Sequence, residues 1–173
     1  MAVGNLEFIK SASGTSVSSL SVTDCFSADY DVYYVSITKA DLSTTGYHYA
    51  RFIDSGGVDS TANYDSAGLS IRSYTTFGQM RFTGQTYINN IAYQTTNASD
   101  GTGISFYVFN PYDSSSYTFA LAQTSSFNSG SGLFGVKHIS VHKVAEQITG
   151  INFFPASGTY DNITINVYGL ASN

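Results

Sequence analysis

Apolar residues in this chain recur at every second position, not every third or fourth. Over 32–38, Tyr33, Val35 and Ile37 share one face and Val32, Tyr34 and Ser36 the other. Over 47–53, Tyr47, Tyr49, Arg51 and Ile53 alternate with His48, Ala50 and Phe52. The same spacing recurs in Ile104, Phe106 and Val108, in Tyr117, Phe119 and Leu121, and in Ile163, Ile165 and Val167. Side chains of a strand point alternately to its two faces, so each set lines one side of a buried layer.

Further strand candidates lie over 6–9, 17–22, 69–74, 80–82, 87–93, 133–141 and 148–154. Between them stand turn residues, among them Ser55-Gly56-Gly57, Asn110-Pro111-Tyr112-Asp113 and the Gly/Ser/Asn-rich stretches 97–103 and 128–132. Short strands with turns every 8–12 residues indicate a sandwich or barrel. The expectation is an all-β, two-sheet antiparallel jelly-roll-like β-sandwich of about 8–10 strands with little helix. A turn over 141–148 and a short helix or wrapped loop over 60–68 are the exceptions. No repeat or linker divides the 173 residues, so 1–173 reads as a single domain with a short N-terminal strand or arm over about 1–12.

Charged residues make up only 11% of the chain, against about 25% in an average domain. Aromatics reach 15%, which argues against disorder. The surface is therefore largely uncharged Ser, Thr, Asn and Gly. A net charge of −5, with cations scattered from Lys10 to Lys143, leaves no basic stripe for nucleic acid or an anionic membrane. No run approaches the length of an apolar membrane span. Met1–Lys10 does not read as a signal peptide, so the sequons at Asn97 and Asn162 are set aside. One cysteine, Cys25, permits no internal disulfide.

The chemistry-bearing residues form no clear site. His138 and His142 would be neighbours on a helix, but four residues of strand span about 13 Å, too far for one ion. No G-x-S-x-G elbow exposes a nucleophile. Cys25 follows Asp24, whose carboxylate disfavours a thiolate, so it reads as a small buried residue. Asp29 and Asp31 share a strand face, but no calcium loop surrounds them and they read as turn caps. No catalytic, cofactor or metal residue is expected.

Fourteen tyrosines exceed what a core of this size needs. Tyr64, Tyr74, Tyr112 and Tyr117 fall in or beside loops and are the candidates for partner contact. Exposed tyrosines favour interfaces and sugar stacking. Their other use is to cover sheet edges and sandwich ends.

Several motifs carry a family resemblance. Phe26-Ser-Ala-Asp-Tyr-Asp-Val-Tyr-Tyr-Val-Ser-Ile37 precedes Tyr49-Ala-Arg-Phe-Ile53, then Gly56-Gly57 and Asn63-Tyr64. The chain ends in Ile163-Thr-Ile-Asn-Val-Tyr-Gly-Leu170. From about Phe26 to Leu170 this resembles the jelly-roll structural proteins of tailed bacteriophages, of the marine and cyanophage type. The resemblance implies a non-enzymatic virion protein made in the host cytoplasm and carried on the virion surface. Without a coiled shaft it fits a capsid decoration or cement protein, bound to the major capsid protein or other virion proteins as a homo-oligomer, a trimer above all. The alternative is a tail or fibre-associated receptor- or glycan-binding module.

Overall fold

The computed structural model describes residues 6–96, 101–128 and 130–171. The Asn97 sequon and the first residues of the N-terminal arm lie outside them. Among the described residues thirteen strands run in the order β1 (Leu6–Gly14), β2 (Leu20–Val22), β3 (Val32–Leu42), β4 (Gly46–Asp54), β5 (Gly57–Val58), β6 (Tyr64–Arg72) and β7 (Gly78–Gln85). There follow β8 (Ile88–Gln94), β9 (Thr102–Phe109), β10 (Thr118–Asn128), β11 (Gly132–His142), β12 (Gly150–Pro155) and β13 (Tyr160–Leu170). Among the described residues there is no helix. None, therefore, is long and apolar enough to cross a membrane.

The strands form two antiparallel sheets. The larger has the order β1-β13-β3-β9-β10-β11-β6-β7, and the smaller β2-β12-β4-β5 with β8 also on β4. A jelly roll is legible inside this order. Its eight strands are β1, β13, β3 and β9 in one sheet and β2, β12, β4 and β8 in the other. Of the other five, β5 is a two-residue pairing on β4 and four are insertions into that frame. β6 and β7 come between β4 and β8, and β10 and β11 between β9 and β12. All four insertions extend the same sheet beyond β9, so the larger sheet outgrows its partner. The strand count exceeds the expected 8–10 through these additions and the very short β5.

Inward positions follow the predicted alternation in β3, β9 and β13. Val35, Ile37, Phe106, Val108, Ile163, Ile165 and Val167 are all buried. They meet Ala50, Phe52, Ile151 and Phe153 of the smaller sheet, with Phe106 edge-on to Phe153 at 5.8 Å. Cys25 packs in this core, where burial pushes its thiol up to about 12. Gly169 is needed for a close approach: a Cβ there would come within 2.5 Å of the Tyr30 ring.

Three expectations change. The stretch 60–68 holds no helix; its end enters β6. In 17–22 only Leu20–Val22 is a strand, and Val17 makes an isolated bridge to Tyr160. In β10 the faces are reversed: Thr118, Ala120 and Ala122 are buried, while Tyr117 and Phe119 are exposed. Pairing sets the phase. Ala122 sits opposite Phe106 and Ala120 opposite Val108, so the alanines share the buried face of β9.

Candidate functional site

Because cross-strand partners point to the same face, the registers of the larger sheet define what its outer surface displays. One row crosses all eight strands: Phe8, Tyr168, Tyr34, Tyr107, Leu121, Ile139, Ala67 and Arg81. The row has two halves. On the jelly-roll side it is aromatic. The ring centroids of Tyr168 and Phe8 are 5.6 Å apart, those of Tyr34 and Tyr168 6.0 Å, and those of Tyr34 and Tyr107 5.0 Å. On the inserted strands it is aliphatic through Leu121, Ile139 and Ala67 and ends in the charged Arg81. It also adjoins a second row, in which Phe109 pairs with Phe119 and Phe119 with Val141.

The aliphatic half forms a shallow depression of about 640 Å³ between Phe82, Phe109, Phe119, Leu121, Ile139 and Val141, with Asp65 and Arg81 at its margin. Ile139 is 60% exposed and Phe119 50%. Leu69 and Ile71 of β6 add exposed apolar surface on the same face. Scattered apolar residues are ordinary on a surface, but a contiguous group ringed by polar residues marks a contact site.

The loop tyrosines do not form this surface. Tyr64 is fully buried, which removes it from the contact candidates. Its hydroxyl accepts the Phe52 N–H at 3.1 Å and donates to the Asp59 carbonyl at 3.3 Å. Position 64 is the first residue of β6 and points into the sandwich, so its loop-like neighbours Ala62-Asn63 gave the wrong signal. Tyr74 and Tyr117 are exposed. Tyr112 is half-buried in a small hollow with Tyr30 and Asn110. Tyr112 and Tyr117 lie on the β9–β10 connection and Tyr74 on the β6–β7 connection. The surface residues that sequence reasoning missed are Tyr34, Tyr107, Phe109, Ile139 and Val141. Their signal was present as apolar residues on both faces of the same strand, for example Phe106, Tyr107, Val108 and Phe109.

A second cluster lies within the fold. His142 Nε2 is 2.6 Å from Asp59 Oδ2 and 3.7 Å from Glu146 Oε1. Its ring is fully buried, against Tyr64 at 4.8 Å and Phe52 at 6.1 Å. Burial alone would raise the Asp59 carboxyl. Hydrogen bonds from the Thr61 hydroxyl and amide and from His142 outweigh it and hold the group below the ordinary aspartate value. Glu146 is pushed up by burial and by the Asp54 carboxylate. The three donor atoms lie within 4.8 Å of one another, a set that suits a divalent cation in composition. The geometry favours a proton instead. The bond to Asp59 needs hydrogen on Nε2, and a metal there would drive that proton to Nδ1, which has no partner among the described residues. The cluster ties the β5–β6 connection to the end of β11. His138 faces the core four residues earlier, as strand geometry requires. Burial lowers both His48 and His138 to about 4, so both rings stay neutral near pH 7. Asp29 accepts from the Ser27 hydroxyl at 2.8 Å, which is turn chemistry.

No protein-family model matches the chain, and no curated protein matches it. Among solved structures, a fructofuranosidase from Schwanniomyces occidentalis aligns with 97% of this chain and 35% of its own, at 6% identity and a TM-score of 0.20. A likeness that low carries no argument.

Proposed function

We propose that the protein is a non-catalytic virion structural protein, a capsid decoration or cement subunit that docks on an assembled phage shell. The observation that carries this reading is the apolar half of the outer face, built on strands inserted into a jelly-roll frame. Such a surface gains free energy when another protein removes it from water, and with few charges nearby its desolvation costs little. A ligand of the assembled shell that does not bind free subunits stabilises the shell by mass action. Cyclic self-association, as a trimer, belongs to the same reading, as does display on the virion surface.

The test is co-sedimentation of the recombinant chain with purified phage particles stripped of it. Saturable binding at a copy number set by the shell lattice is expected. Ile139→Asp with Phe119→Ser keeps the unfolding transition but abolishes binding. Failure of the wild-type chain to sediment with particles, or binding indifferent to the double variant, overturns the proposal.

A further inference from the structure

The aromatic half of the same face borders a second concavity, chemically unlike the first. Between β3, β9 and β10 lies a groove of about 600 Å³. Tyr34 and Tyr107 line it, their ring centroids 5.0 Å apart. Its polar lining includes Ser36, Ser105, Gln123 and Ser125. Ser36 and Ser105 are cross-strand partners, and so are Ser105 and Gln123, so their side chains project from one row. No lining residue carries a charge. Tyr34 and Ser105 share a hydrogen bond at 3.2 Å between their hydroxyl oxygens. The side chains of Ser36, Gln123 and Ser125 have no hydrogen-bond partner among the described residues. At the end of the groove Gly103 pairs with Ser125 and contributes no side chain to cover its hydroxyl.

Each feature narrows the class of ligand. A fatty or purely apolar ligand would leave the hydroxyls and the amide unpartnered, at a cost for each. A phosphate or sulfate would find no cation in the lining, and a cationic ligand no carboxylate. What fits is a flat, neutral molecule with apolar C–H faces and a rim of hydroxyl groups. The rings give it a stacking platform and the Ser/Gln row gives it both donors and acceptors.

We infer that this groove is a binding site for a neutral oligosaccharide, with Tyr34 and Tyr107 as the stacking platform and Ser36, Ser105 and Gln123 as the hydroxyl-reading row. The site adjoins the apolar depression at Leu121 but has its own polar lining, and its failure leaves the docking proposal standing. It places sugar recognition on the sheet face, away from the loop tyrosines.

The test uses the full chain on a printed array of neutral, sialylated and sulfated glycans. A titration of the best neutral hit, followed by amide NMR, then locates it. Saturable binding of a neutral glycan that moves the amides of Ser36, Ser105 and Gln123 is expected. Tyr107→Ala weakens it about tenfold, the equivalent of one lost aromatic contact. Gln123→Glu, at an exposed position that leaves the fold intact, also weakens it. Four results overturn the inference: no neutral glycan binds; only charged glycans bind; the shifts map elsewhere; or the groove amides move with protein concentration alone, which assigns the groove to a second copy.

Discussion

Tyr64→Phe removes one oxygen from the middle of the sandwich, and the structure fixes what that oxygen does. The ring stays in place, against His142 at 4.8 Å and Phe52 at 6.1 Å, so no cavity opens. The loss is the acceptor for the Phe52 N–H and the donor to the Asp59 carbonyl. Tyr64 is fully buried, so water cannot readily substitute. An orphaned buried donor costs about 1–3 kcal/mol. The second bond is long at 3.3 Å and adds little. A total of ~2 kcal/mol corresponds to a fall in Tm of about 4–8 °C for a chain of this size. Urea unfolding followed by circular dichroism measures it, with an unchanged m-value showing that only stability moved. A surface tyrosine would give less than about 0.5 kcal/mol for the same change. A result in that range would refute the buried hydrogen-bonding role.

Three further perturbations probe other parts of the fold. Gly169→Ala pushes a methyl group into the Tyr30 ring and breaks the bond from its hydroxyl to Glu7, 2.6 Å long. That bond is the main reason the Tyr30 phenol is held up at about 12, so in the variant it falls back toward 10, read by alkaline absorbance titration, and the Tm drops. An unmoved titration sinks the contact. At the buried cluster the two carboxyls act with opposite sign. The depressed Asp59 contributes stability that is complete above the ordinary aspartate value of 3.8 and is lost as pH falls through its lower folded value. Asp59→Asn therefore destabilises at neutral pH and flattens the acid limb of urea midpoints. The raised Glu146 contributes below its ordinary value of 4.5 and loses that as pH rises through its folded value. Glu146→Gln is thus neutral in acid and stabilising near pH 7, and a destabilised Glu146→Gln at neutral pH would reverse the assignment.

The strand alternation made the fold legible because it was strict where both sheets enclose the chain. Val35, Phe106 and Ile165 could face only one way, and they did. It misled in β10, where both faces hold apolar residues and the larger ones lie outside. Local pattern cannot choose between Ala120 and Phe119; the register against β9 does. Tyr64 was misplaced for a related reason. Its neighbours have turn chemistry, and its burial depends on Phe52 and Asp59 meeting it in space. The His142–Asp59 pair joins residues 83 positions apart, so no motif could announce it. The outer row is the same case on a larger scale, eight residues from eight strands that only pairing aligns.

The growth of one sheet beyond the other has a consequence for assembly. The outermost strand of the extension, β7, carries Gly78 and Gly84, the latter in a left-handed conformation, and its pairing with β6 slips between Tyr64 and Ser66. An irregular border of this kind is a poor template for adding another strand. Copies tiled over a surface and meeting at this border would therefore do so through side chains, without zipping their backbones together. Such joints can form and release while each unit keeps its shape, and a wall made of them would disassemble into intact bricks.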